Sequence, residues 1–152
     1  QSFSELIEPL YQCYKDLKLG GGAVEPVLAS MMFYFETYYA AGLELGPLLE
    51  SKLLLLEELC QEYARPGFLS NFQIYRQFAL NLRTRSEDPT EFKGEAFYEE
   101  EALNKMNPKS RKMALRDSSS FRLQTAFVFW NEDTMAEMLE RLRDYPASDH
   151  HV

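Results

Sequence analysis

The densest run of side chains that could do chemistry is acidic. It comprises Glu99, Glu100 and Glu101, with Glu95 one helical turn earlier. Clustered carboxylates can hold a cation or attract a basic partner. Adjacent residues of a helix point about 100° apart, however, and no Glu-x-x-His motif supplies the rest of a di-metal site. We therefore interpret the run as a solvated helix start, where carboxylates meet the positive end of the helix dipole.

Imidazole and thiol groups are scarce in this sequence. The only histidines are His150 and His151, so no triad or general base that needs a histidine can form elsewhere in the chain. We interpret them as incidental residues of a terminal tail. Cys13 and Cys60 have no histidine nearby in sequence, and we expect both to be buried packing residues. Two cysteines are also too few for a disulfide scaffold and favour a reducing compartment.

Signatures of nucleotide or acid–base chemistry are missing from the sequence. Gly20-Gly21-Gly22 lacks the Lys-Ser or Lys-Thr that completes a phosphate loop, and no kinase motif occurs. Carboxylate pairs such as Glu57 with Glu62, or Asp88 with Glu91, are easy to find when 26% of residues are charged. Nothing in the sequence places such a pair in a cleft. The sequence thus predicts a non-enzyme with no catalytic, cofactor-binding or metal-binding residue.

A basic cluster stands out against the acidic background. Its members lie between positions 105 and 116: Lys105, Lys109, Arg111, Lys112 and Arg116. We expect these cations to pair with residues 99–101 or with a neighbouring repeat rather than with an acidic partner. Exposed ion pairs contribute little stability each. If the cluster has a role, selection of a binding partner is therefore the better interpretation. Phosphate binding beside Ser118-Ser119-Ser120 is a minor alternative.

Composition and charge narrow the class of protein. The chain has 152 residues, 45% of them apolar, which is enough material for a packed core. Its net charge of −8 argues against binding to nucleic acid or to an anionic membrane. Leu53-Leu54-Leu55-Leu56 is far shorter than a membrane span. The sequence begins at Gln1 with no leader signature, and we interpret it as a cytoplasmic segment cut from a longer protein.

Apolar residues recur at three- and four-residue steps almost throughout, which predicts an all-α fold. Glycine, proline and asparagine separate the helical stretches, and the three serines at 118–120 are expected to loosen one of them. We place Met135, Met138, Leu139 and Leu142 inward in the last helix. The predicted single domain spans residues 1–146 and precedes a flexible tail, 147–152. Its helices are predicted at 4–19, 25–41, 47–64, 68–83, 95–105, 109–130 and 133–143.

Two corners of the sequence look alike. Each joins an aromatic- and alanine-rich helix through a tight turn to an amphipathic helix, one at residues 38–49 and the other at 125–138. Such recurrence indicates an array of antiparallel helix hairpins rather than a closed bundle. The stretch from Met31 to Tyr39 is apolar on nearly all sides, so we expect it to be sandwiched in the core, with a binding groove as the alternative.

The middle of the chain carries a more specific pattern. It reads Arg76-Gln77-Phe78-Ala79-Leu80-Asn81-Leu82, then Ser86-Glu87-Asp88-Pro89-Thr90, Gly94-Glu95 and Glu99-Glu100-Glu101. Further patches follow the same order, namely residues 6–17, 40–43, 45–49 and 121–124. This pattern resembles the tetratricopeptide (TPR)-like helical-repeat segment of large multidomain signalling ATPases of the AAA/STAND type. Such proteins are often fused to protein-kinase, histidine-kinase or nucleotide-cyclase modules.

The resemblance, which covers most of residues 6–143, implies a fold and a setting. It implies hairpins stacked as a short TPR-like right-handed α-α superhelix, with any ATPase or kinase activity in domains outside this chain. At the last corner such repeats favour Gly-Asp-Tyr, whereas this chain has Trp130-Asn131-Glu132-Asp133. The function implied is that of a protein-interaction or scaffold module, the sensor or relay segment of a signal-transduction protein.

A repeat module would bind a protein, a peptide or the flanking domains of its parent, and exposed helix ends offer self-association. Large or fork-like side chains of inner helices are common binding hot spots. We therefore predict partner contacts at Tyr34, Tyr38, Tyr75, Arg76 and Arg122. The alternative function is a self-contained binder of a small ligand, with an apolar pocket. Its predicted lining is Met31, Phe35, Tyr38 and Phe78.

Overall fold

The computed structural model describes residue 5 and residues 7–19, 23–40, 42, 46–83 and 87–144. Its seven helices are α1 (Ile7–Leu19), α2 (Val24–Ala40), α3 (Pro47–Glu62), α4 (Pro66–Arg83), α5 (Glu99–Lys105), α6 (Pro108–Val128) and α7 (Glu132–Arg143). No strand occurs among the described residues, where Lys93 and Tyr98 form an isolated bridge. The all-α class is confirmed, and the superhelical stacking stays a prediction. None of the described helices is long and apolar enough to cross a membrane.

Most helix bounds agree with the predicted ones to within three residues. The exception is α5, which begins at Glu99 rather than at residue 95. The backbone amides of Ala96 and Phe97 donate to the side chain of Gln77, so they are held outside a helical ladder. The loosening expected at Ser118–Ser120 does not occur, because α6 is continuous through these positions. Residues 20–22 and the tail with both histidines lie outside the described residues.

The chain divides into two compact units, residues 1–72 and 73–152, and α4 runs through the boundary. In the first unit α1 packs against α2. In the second unit α6 packs against α7 and, less extensively, against α5. The single domain predicted over residues 1–146 stays a prediction.

The first unit has a buried apolar core to which α2, α3 and Phe72 of α4 contribute. Buried members include Val27, Leu28, Met31, Tyr34 and Phe35 of α2, and Leu53, Leu56 and Cys60 of α3. The expectation that the stretch from Met31 to Tyr39 is sandwiched on all sides is wrong, because 61% of Phe33 is exposed. The buried residues of α2 therefore lie on one face of the helix.

Two helix corners share one backbone geometry. Ala64 after α3 and Trp130 after α6 both adopt a positive φ, 50° and 53°. In each case the next amide donates to the carbonyl five residues back, from Arg65 to Cys60 and from Asn131 to Ala126. This pattern is the Schellman motif, whose left-handed position normally favours glycine. The corners therefore hold non-glycine residues where a Cβ is unfavourable.

We predict that Ala64→Gly raises the free energy of unfolding by roughly 0.5 to 1 kcal/mol, because it removes the left-handed strain at the α3–α4 corner. The same exchange at Ala136, which is exposed inside α7, should lower it by roughly 1 kcal/mol, the ordinary cost of glycine in a helix. Urea unfolding followed by circular dichroism measures both. A loss of stability in both variants would contradict the strain.

Candidate functional site

Gln77 on α4 organises the loop that connects α4 to α5. The side chain is buried, and its Oε1 accepts hydrogen bonds of 3.1 Å from the amides of Ala96 and Phe97. Its Nε2 donates to Oδ1 of Asn81 at 2.8 Å. A Cβ at Gly94 would overlap the Gln77 amide, so the loop approaches α4 as closely as glycine permits.

Asn81 extends this clamp by one helical turn. Its Nδ2 donates to the carbonyl of Pro89 at 3.0 Å and to that of Glu91 at 2.8 Å. The two amide side chains thus fix both the beginning and the end of the loop segment 89–97. Buried polar groups of a loop need such partners, and here α4 supplies them.

Glu99, the first residue of α5, is the centre of an ion cluster. Its Oε1 accepts from Nη1 of Arg122 on α6 and from Nη1 of Arg141 on α7, both at 2.9 Å. Its Oε2 accepts from the hydroxyl of Ser118 at 2.6 Å. The carboxylate therefore joins three helices, and Arg141 also pairs with Glu137 at 2.9 Å.

The surroundings of Glu99 favour its charged form. Burial raises the pKa of this carboxyl. The Ser118 hydroxyl and the charges of Arg122 and Arg141 lower it by more, so the net pKa lies below the ordinary value. The interpretation of residues 99–101 as a solvated helix start is therefore wrong for Glu99, which is buried. Glu100 and Glu101 are exposed, as expected.

Thr90 links the loop to the α6–α7 corner. Its backbone carbonyl accepts from Nε of Arg122 at 2.8 Å, and its hydroxyl donates to Oδ1 of Asp88 at 2.6 Å. Since that proton is engaged, Nδ2 of Asn131 and the hydroxyl of Thr134, both at 3.2 Å, act as donors to the Thr90 oxygen. Asn131 also caps α7 by accepting from the amide of Thr134.

A cavity of about 530 Å³ opens beside the ion cluster, entirely within the second unit. Its charged lining is Glu91, Lys93, Glu99, Glu100, Arg111, Arg122, Glu137 and Arg141. Cations and carboxylates are equal in number there, and most pair with each other, including Lys93 with Glu91 at 2.7 Å. A second cavity of about 460 Å³ lies on the Gln77 and Asn81 side of the loop and is mainly acidic.

The carboxylates of Glu99 and Asp88, which line the two cavities, are engaged in internal hydrogen bonds. Both oxygens of Glu99 are engaged, and a carboxylate held by two guanidinium groups is a poor general base. Asp88 accepts from both the amide and the hydroxyl of Thr90. Within the described ranges no cluster of three or more His, Cys, Asp or Glu residues could hold a metal ion. The arrangement therefore fixes the loop that connects α4 to α5.

The five residues predicted to bind a partner fall in both units. Tyr34, Tyr75 and Arg122 are buried, whereas Tyr38 and Arg76 are partly exposed. The Tyr34 hydroxyl accepts from Nζ of Lys52 at 3.2 Å, and the Tyr75 ring packs edge-on against Phe121. The Tyr38 ring also packs against that of Tyr34. These side chains thus serve internal contacts, and partner binding through this set stays a prediction.

Other predicted residues have the following placement. Met31, Phe35 and Phe78 of the predicted apolar pocket are buried, and neither cavity above is lined by them. Cys60 is buried, and burial together with Glu57 raises the pKa of its thiol to about 11. The expectation of a buried Cys13 is wrong, because this residue lies on the exposed side of α1.

The arginines that bind Glu99 lie further along the chain than the basic cluster, at positions 122 and 141. Arg111 instead donates to the carbonyl of Leu103 at 2.8 Å, and Arg116 lies 3.4 Å from Asp117. The signal that could have identified Arg122 and Arg141 is weak, since an isolated arginine in a helix normally points to solvent.

Sequence reasoning missed the most exposed apolar segment. Phe127, Val128, Phe129 and Trp130, which we term the apolar corner, are 54%, 63%, 47% and 70% exposed. Phe127 and Val128 are the last two residues of α6, and Phe129 and Trp130 form the turn before α7. Leu139 was also expected to face inward and is exposed. A run of four exposed apolar residues is unusual on a monomer surface.

We predict that Gly94→Ala lowers the free energy of unfolding by about 2 kcal/mol. The new methyl group displaces the Gln77 amide, which leaves the buried amides of Ala96 and Phe97 without an acceptor. Gly67→Ala, in open space in the first turn of α4, is the matched control and should be neutral or mildly stabilising. Equal effects in urea unfolding would argue against the clamp.

We also predict that Glu99→Gln lowers the free energy of unfolding by about 3 kcal/mol at neutral pH, because two guanidinium groups lose their counter-charge. Glu101→Gln, at an exposed position of the same turn, should change it by less than about 0.5 kcal/mol.

The ion cluster also predicts an acid dependence. The folded-state pKa of Glu99 is below the unfolded value of about 4.3, so its stabilisation is complete above that pH. It is lost as the pH falls from there through the lower folded pKa. Glu99→Gln should show a shallower loss of stability in that window, measured by thermal unfolding. A slope identical to that of the unmodified chain would contradict the cluster.

Comparison with known proteins found no relative of this chain. No protein-family model, no curated protein and no solved structure matches the chain. The resemblance to the helical-repeat segments of signalling ATPases therefore stays a prediction from the residues that carry it.

Proposed function

We propose that this chain is a non-catalytic helical-repeat module that binds another protein or a neighbouring domain. In this proposal it is the sensor or relay segment of a larger cytoplasmic signal-transduction ATPase, built as a TPR-like superhelix. The observation that carries the proposal is the apolar corner, with all four side chains exposed by 47% or more. Large exposed apolar segments favour association because burying them releases water.

The corner is also held rigidly, which suits a binding surface. The Schellman hydrogen bonds fix the end of α6, and the Asn131 side chain caps α7 while donating to Thr90. A preorganised surface loses less conformational entropy when a partner binds. Aromatic side chains, tryptophan above all, are the residues that most often dominate binding energy.

The polar interior of the second unit supports the non-catalytic part of the proposal. Glu99, Arg122 and Arg141 bind each other, and Gln77 and Asn81 bind the loop backbone. Groups engaged in this way hold a shape and are not poised for proton transfer. The partner can be a separate protein or peptide, a flanking domain, or a second copy that meets the exposed helix ends.

Site-specific photo-crosslinking tests the proposal. A benzoylphenylalanine at position 130 of the chain expressed with its natural flanking sequence should give one discrete crosslinked species in cells. The same residue at Lys109, exposed at the start of α6, should give none or a diffuse background. An intramolecular product would identify a flanking domain as the partner. Identical patterns from the two positions would refute a binding role for the apolar corner.

A further inference from the structure

We infer that the apolar corner recognises a cationic amphipathic segment of another protein. This inference rests on the proposed function and adds the chemistry of the partner. It follows from two features that are adjacent in the sequence, the exposed aromatic side chains and a pair of exposed carboxylates at the start of α7.

The apolar half of the recognition is supplied by the corner itself. Trp130 is 70% exposed and Val128 is 63% exposed, so both retain most of their surface for a partner. Thr125 and Ala126, which precede these residues in the chain, are buried and anchor the end of α6. A segment that offers leucine or similar side chains would cover this surface.

The polar half is acidic. Glu132 and Asp133 follow Trp130 and Asn131 directly, and both are exposed in the first turn of α7. The cations of α7 are engaged with other carboxylates: Arg141 with Glu99 and Glu137, and Arg143 with Glu140 at 3.3 Å. Because the arginines of α7 pair with other carboxylates, Glu132 and Asp133 can meet lysine or arginine of a partner next to the apolar anchors.

Charge also disfavours two other molecules that could cover the apolar corner, a second copy of the chain and an anionic membrane. A second copy would bring another Glu132 and Asp133, on a chain of net charge −8, toward the same surface. Anionic lipid headgroups would be repelled by the same two carboxylates. A positively charged protein segment is the occupant that gains from both features.

Trp130 is the only tryptophan of the chain, so its fluorescence reports on the corner directly. The probe is a synthetic peptide of leucine and lysine at helical spacing, with a matched peptide in which glutamate replaces every lysine. We expect the lysine peptide to shift the Trp130 emission to shorter wavelength and the glutamate peptide to bind at least about tenfold more weakly. Added salt should weaken the lysine complex.

Charge reversal then locates the polar contact. Glu132→Lys combined with Asp133→Lys should weaken the lysine peptide by about tenfold. Glu100→Lys combined with Glu101→Lys is the matched control, because it also reverses two exposed carboxylates in the first turn of a helix of the same unit. That control should leave the affinity within about twofold. Phe127→Ser, with the fold checked by circular dichroism, should weaken both peptides.

Several results would overturn the inference. They are an equal affinity for the two peptides, no emission shift with the lysine peptide, equal effects of the two charge reversals, a shift produced by phosphatidylglycerol vesicles instead, or a shift that depends on the concentration of the chain alone. A discrete crosslink from position 130 would in each case still support a binding module. Loss of that crosslink removes the proposed function itself, so the two failures are distinguishable.

Discussion

The buried carboxylate of Glu99 is the group on which the second unit depends. A charge removed from water is tolerated only when opposite charges and hydrogen bonds replace its hydration. Arg122, Arg141 and Ser118 meet that requirement, and they come from two different helices. Because each bond needs its helix at a fixed distance and rotation, the cluster sets how α5, α6 and α7 lie together. Apolar packing alone would permit several such arrangements.

Hydrogen bonds from this cluster and from α4 fix the shape of the loop 87–98. Arg122 donates through Nη1 to Glu99 and through Nε to the carbonyl of Thr90, while Gln77 and Asn81 bind other parts of the loop backbone. A buried ion network of this kind contributes more to a defined geometry than to net stability, because desolvation offsets much of the attraction. The result is a rigid connection from the loop through Thr90 to Asn131 at the α6–α7 corner.

The sequence pattern was sufficient for the helices and insufficient for the ion cluster. Apolar periodicity and turn residues locate a helix because both are local, which is why six of the seven helices begin within three residues of prediction. The two arginines that bind Glu99 are 23 and 42 residues away, and no local rule connects them. A carboxylate at a helix start looks the same whether water or arginine faces it. The same limit applies to Phe127 and Leu139, whose exposure depends on where α6 ends and which face of α7 is covered.

The backbone strain at Trp130 is not explained by packing among the described residues. A non-glycine residue in the left-handed conformation costs about 1 to 2 kcal/mol, and glycine would form the same Schellman corner without that cost. A buried side chain could offset the strain by packing, but 70% of Trp130 is exposed among the described residues. The aromatic ring therefore brings little to the folding of this part of the chain. Burial of the ring by another molecule would be stabilising, and the strained corner keeps the ring accessible to such a molecule.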